Sequence, residues 1–143
     1  MKARPIVVLD TDVLEAALRS RRGASFAILS QVGTGAFDIA ISVPLVLEYE
    51  AVLMRQAGEM GRTSTAVSDL IDYLCSVARR QALFFLWRPF LPDPDDDMIL
   101  ELAIAAGCDA IVTHNNRDFR KSAELGISIL SPADFLRQIG ANP

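Results

Sequence analysis

The chain has 143 residues, 51% of them hydrophobic, and a net charge of −4, which suits one domain with a sizeable core. With a sequence pI of about 4.9, it is not a protein that holds nucleic acid by a broad basic surface. The longest apolar runs, residues 6–9 and 82–87, are far too short to span a bilayer. The basic start, Met1 to Pro5, lacks the apolar core and small-residue cleavage site of a signal peptide, so a cytoplasmic protein is expected. Cys75 and Cys108 are isolated in apolar helical surroundings and read as small buried hydrophobes. With one histidine in the sequence, a His/Cys zinc cage is excluded.

In chain order, residues 6–9 form a short apolar run between Pro5 and Asp10, as expected of a buried strand. A helix over 13–20 follows, with Thr11 or Asp12 available as its cap. Arg19, Arg21 and Arg22 interrupt the apolar pattern and Gly23 marks a loop. Phe26, Ile28, Leu29 and Val32 point to a second helix, closed by Gly33-Thr34-Gly35. Residues 37–41 read as a strand. Ser42 and Pro44 then open a helix along which Leu45, Val46, Tyr49, Val52 and Leu53 recur at helical spacing. A polar break at 58–63 leads to a helix over 65–80, and the aromatic run 82–87 suits a strand. The acidic loop 92–97 runs into a helix over 96–106, stopped by Gly107. Strands at 110–113 and 127–130 and a closing helix at 132–139 complete the pattern. Strands and helices alternating at these lengths predict an α/β protein, a three-layer α/β/α sandwich on a mostly parallel sheet. No repeat or linker interrupts it, so residues 1–143 are expected to form one domain.

The acids fall at informative places. Asp10 and Thr113 end predicted strands, while Glu48 and the 93–97 cluster lie near helix starts. In open parallel sheets all of these positions gather on one rim, beyond the carboxyl ends of the strands. Carboxylates crowded there repel one another unless a cation intervenes. Mg²⁺ and Mn²⁺ take oxygen ligands, and a metal-activated water can attack a phosphodiester. Glu48 shares a helical stripe with Leu45 and Val52, which favours it over the more solvated Glu50. Within the cluster, Asp93, Asp95 and Asp96 also suit solvated charges at a helix N-terminus.

Three blocks make the pattern specific. They are Val7-Val8-Leu9-Asp10-Thr11-Asp12-Val13-Leu14, then Glu48-Tyr49-Glu50-Ala51-Val52-Leu53, then Asp93-Pro94-Asp95-Asp96-Asp97 through Ile111-Val112-Thr113-His114-Asn115 and Arg117-Asp118-Phe119. In this order and spacing they resemble the PIN-domain family, and in particular the toxins of bacterial toxin–antitoxin pairs (VapC-like ribonucleases). The resemblance spans nearly the whole chain. It implies an endoribonuclease dependent on Mg²⁺ or Mn²⁺, with Asp10, Glu48 and Asp97 as metal ligands, Asn115 in the fourth position and Asp118 assisting. Asp96 is the substitute for Asp97, and Thr11, Asp12 and Thr113 are supporting residues. It also implies an RNA substrate, a cognate antitoxin, a homodimer as one arrangement, and no membrane. Where the family usually carries Asn, this chain has Asp12, which cannot donate a hydrogen bond while ionised.

Two other functions fit parts of the sequence. Asp10-Thr11-Asp12 has the D-x-D spacing of an aspartate-nucleophile phosphatase, with Asp10 attacking phosphate and Asp12 as general acid. Against it stand Leu14 where such enzymes carry Thr or Val, and Lys2 and Lys121 as the only lysines. A catalytically weak PIN-fold binding module is the third reading, prompted by Asp12 and Asn115. His114 is set aside as incidental, and the Arg19-Arg21-Arg22 patch reads first as solvated surface.

Overall fold

The computed structural model describes residues 4–83, 91 and 93–140. Its centre is a sheet of five strands in the order β3-β2-β1-β4-β5. In chain order these are β1 (Ile6–Leu9), β2 (Asp38–Ile41), β3 (Arg79–Arg80), β4 (Ala110–Val112) and β5 (Ser128–Leu130). Every pairing is parallel. All four residues of β1 are buried, as are all three of β4. Both faces are covered, so these strands are apolar throughout rather than alternating.

The helices are α1 (Thr11–Arg19), α2 (Ala24–Gln31), α3 (Val43–Gln56), α4 (Ser64–Val77), α5 (Pro94–Ala105) and α6 (Pro132–Gln138). The connections β1 to β2 and β2 to β3 step one way along the sheet, and β3 to β4 steps back across it. Right-handed crossovers therefore put α1 to α4 on one face and α5 on the other. The packing agrees. Helix α1 meets α2 and α3, α3 meets α4, and α5 lies against β1, β2 and β4. This is the expected three-layer α/β/α sandwich. No helix among the described residues is long and apolar enough to cross a membrane.

Several boundaries differ from the sequence reading. Asp10, rather than Thr11 or Asp12, caps α1, its side chain accepting from the Thr11 N–H. Helix α4 stops at Val77 and Ala78 turns extended, because Arg79 and Arg80 pair with Ala40 and Ile41 of β2. An ion pair from Arg79 to Asp38 at 2.9 Å reinforces that pairing. Of the strand expected over 82–87, Ala82 and Leu83 adopt no strand and 84–87 lie outside the described residues. Phe37 precedes β2 and packs edge-on against Phe135, with ring centroids 5.0 Å apart. Helix α5 begins at Pro94, capped by Asp93 through the Asp95 N–H. A 3₁₀ helix, Arg120–Leu125, fills the stretch before β5 that the sequence left unassigned.

Register sets the rim. Leu9 stands opposite Val112, and the Asp10 N–H donates to the Val112 carbonyl at 2.9 Å while Thr113 donates to Leu130. Asp10 and Thr113 thus leave the sheet side by side.

Candidate active site

Asp10 is held from both sides. One carboxylate oxygen accepts the Thr11 N–H at 2.8 Å and the other accepts the Thr113 hydroxyl at 2.7 Å. Burial, the Asp12 charge and, less strongly, Asp96 push its carboxyl up to about 7, against the pull of those hydrogen bonds. The strand end beneath it is fixed by Tyr49, a fully buried residue of α3 whose hydroxyl donates to the Leu9 carbonyl at 2.5 Å. Burial and the Asp10 and Glu48 charges hold that phenol well above its ordinary pKa, so it remains a donor.

Glu48, next to Tyr49 on α3, turns its carboxylate to the Thr11 hydroxyl, which donates to it. Burial raises its pKa most, and the charges of Asp95, Asp93 and Glu15 add to that. Thr11 therefore bridges two candidate acids, giving its backbone N–H to Asp10 and its hydroxyl to Glu48.

Neighbouring acids on α5 part company. Asp97 accepts the Leu91 N–H at 2.8 Å and so secures the chain entering the helix. Asp96, about 100° away around α5, is buried, and one of its oxygens has no hydrogen-bond partner among the described residues. Burial and the charges of Asp93, Asp118, Asp95 and Glu48 push Asp96 up to about 7. Asp96 is electrostatically joined to Asp10, Glu48 and Asp118, whereas the sequence-preferred Asp97 holds the Leu91 N–H.

The loop after β4 completes the rim. The Thr113 hydroxyl also accepts the Asn115 N–H at 2.9 Å, so one buried side chain sets both Asp10 and the Asn115 backbone. The Asn115 amide donates to Asp118 at 2.5 Å. Asp12 takes the His114 N–H on both oxygens, each at 3.2 Å, with the Thr113 hydroxyl at 3.3 Å. Burial raises the Asp12 pKa despite these contacts. Asp12 thus lashes α1 to the loop, a role its sequence position did not reveal. Tyr49 was also missed as a support, because its spacing carries the signature of a core residue.

A family profile described as the PIN domain matches residues 6–117, well over half of the chain. The chain belongs to the PIN-domain family. Among solved structures, it resembles that of VapBC2 from Rickettsia felis bound to a DNA fragment from their promoter. That match has a TM-score of 0.59 and 15% identity, and covers 88% of this chain and 98% of the other. At that identity the likeness concerns the fold. No curated protein matches the sequence. Membership sets aside the aspartate-nucleophile phosphatase.

PIN nucleases generally use divalent metals, so the fit of this rim to a cation can be judged. Its donors are hard carboxylate oxygens, as Mg²⁺ and Mn²⁺ require. Two acids pushed up to about 7 and a buried oxygen without a partner among the described residues are what a cation would relieve. Among the described residues no three His, Cys, Asp or Glu side chains are gathered closely enough to encircle an ion. The donor chemistry therefore fits a divalent metal, in a rim wider than a finished coordination shell.

Proposed function

We propose that this PIN-domain protein is an endoribonuclease dependent on Mg²⁺ or Mn²⁺ and the toxin of a toxin–antitoxin pair, with one domain across the chain and a cytoplasmic setting. What supports the reading is the electrostatic coupling of Asp96 with Asp10, Glu48 and Asp118, acids from four separate segments, with Asp10 and Asp96 pushed up to about 7. Asp10, Glu48 and Asp96 are the residues that would hold the cation, and Asp97 is assigned to securing the start of α5. Asp118, positioned by Asn115, flanks them. A bound divalent cation supplies positive charge for the phosphoryl oxygens and acidifies a water. Thr11 and Thr113 keep the acids oriented through their hydroxyls, and Tyr49 keeps the end of β1 from shifting beneath them.

RNA as substrate and an antitoxin as partner follow from the family resemblance, and the VapBC2 likeness supports the second. The homodimer is checked by light scattering. The deciding experiment is cleavage of RNA by the native chain with Mn²⁺, with EDTA, and with Asp10→Asn or Asp96→Asn. Cleavage that needs metal and both acids, leaving 5′-phosphate and 3′-hydroxyl ends, is expected. Undiminished cleavage in EDTA, or 2′,3′-cyclic phosphate ends, would refute the mechanism. Metal heat that is negligible for both the native chain and Asp96→Asn favours the binding module.

A further inference from the structure

A rim of carboxylates repels the polyanion it is meant to cut, so a nuclease with this site needs positive charge close by. Several guanidiniums on this acidic chain are already committed. Arg4 and Arg79 share Asp38, each at 2.9 Å. Arg19 donates to Gln56 at 2.8 Å, Arg62 to the Leu18 carbonyl, and Arg137 pairs with Asp134. Arg21 and Arg22 are exposed in the loop between α1 and α2. Neither side chain is in an ion pair or hydrogen bond among the described residues.

Contacts tie this loop to the acid rim. The Thr113 hydroxyl that holds Asp10 also reaches Asp12, and Asp12 grips the His114 N–H. The His114 ring reaches α2, where its Nε2 lies 2.8 Å from the hydroxyl of Ser25, which is only 3% exposed. Arg22 precedes Ser25 by three residues, a chain reach of at most about 11 Å. His114 is therefore an exposed imidazole with its backbone N–H and its Nε2 both anchored, and its Nδ1 has no partner among the described residues. A side chain already fixed loses little freedom on meeting a ligand.

We propose that Arg21, Arg22 and His114, the last held by Ser25, form the track on which the phosphates of the RNA strand lie beside the acid site. The proposal rests on the ribonuclease reading and adds where the substrate runs. Arg21 and Arg22 each engage a phosphate, and His114 stands between them and Asp10. Phosphate contacts position a strand without reading its sequence, so the track gives register at the site rather than base preference. An acidic segment of a protein partner is the rival occupant, and the test separates the two.

The probe is a fluorescein-labelled, mixed-sequence single-stranded RNA of about 15 nucleotides, the upper end of the usual single-strand site size. Its anisotropy is measured with the full chain carrying Asp10→Asn, which binds without cutting, across a range of KCl concentrations. Each phosphate contact on a single strand contributes about 0.7 to the slope of log affinity against log salt. Adding Arg21→Glu and Arg22→Glu should lower that slope by about 1.4 and weaken binding at low salt by at least about tenfold. The neutral pair Arg21→Gln and Arg22→Gln should show the same loss of slope, which guards against misfolding of the reversed variant. His114→Ala should weaken binding by a few fold. An unchanged slope and affinity in both arginine pairs, while the native chain still cleaves RNA, would overturn the track and leave the ribonuclease standing. Loss of binding to an acidic glutamate-rich peptide, with RNA binding intact, would overturn it in favour of a protein partner. A native chain that cuts no RNA with Mn²⁺ brings down the underlying reading instead.

Discussion

Replacing Asp10 by Asn should stabilise the metal-free protein, and only above mildly acidic pH. The Asp10 carboxyl is raised from 3.8 in the unfolded reference to about 7 in the fold, and the side chain is 9% exposed. At about 1.4 kcal/mol per pKa unit, ionised Asp10 costs the folded state about 4 kcal/mol. The folded state binds the extra proton, so this cost is absent below about pH 4, grows between the two pKa values and levels off above about pH 7. The amide avoids the charge at every pH. It keeps an acceptor for the Thr11 N–H but turns a donor towards Thr113, whose hydroxyl already accepts from Asn115, a loss of about 1 kcal/mol. The net expectation is a gain of about 2–3 kcal/mol near pH 8 and a loss of up to about 1 kcal/mol near pH 4. At roughly 3 °C per kcal/mol for a chain of this size, Tm should rise by about 6–9 °C at the higher pH. Thermal unfolding of both proteins in EDTA across that pH range measures the effect. Saturating Mn²⁺ should then stabilise the native chain by about 2–3 kcal/mol and leave the variant little changed. A variant that is less stable near pH 8, or a difference that ignores pH, would refute the reasoning.

Other substitutions divide the site into chemistry and support. Asp96→Asn should remove the calorimetric heat of Mn²⁺ binding and reduce cleavage at least about a hundredfold. Asp97→Ala should leave that heat in place and lower stability by about 1–2 kcal/mol, through the lost acceptor for Leu91; the reverse pattern would restore Asp97 as the ligand. Tyr49→Phe deletes the donor to the Leu9 carbonyl and should cost about 1–2 kcal/mol in urea unfolding; an unchanged midpoint would show that the hydroxyl does not secure β1. Thr113→Val frees Asp10 and the Asn115 N–H together, so Mn²⁺ affinity should drop about tenfold and return in Thr113→Ser. A serine variant as weak as the valine one would argue for packing rather than hydrogen bonding.

The sequence by itself determined the scaffold and the membership. Strands buried on both faces must be short apolar runs, and residues 6–9 and 110–112 announce themselves as such. A carboxylate directly after such a run, at Asp10, falls at the sheet's rim, where it also caps α1. Glu48 was preferred to Glu50 for its stripe with Leu45 and Val52, and it is the less exposed of the two. Only the tertiary structure set the surroundings of Asp96 apart from those of Asp97. Residues 99–103 of α5 are all buried, so the helix has no apolar stripe from which its rotation could be read. Its phase comes from the Asp93 cap and from packing on β1, β2 and β4. The same holds for Arg79 and Arg80, drawn out of a helical pattern by β2, and for Ser25 and His114, which meet across 89 positions. Local periodicity reports which face of an element is apolar. Which neighbour that face meets is settled only when the layers close.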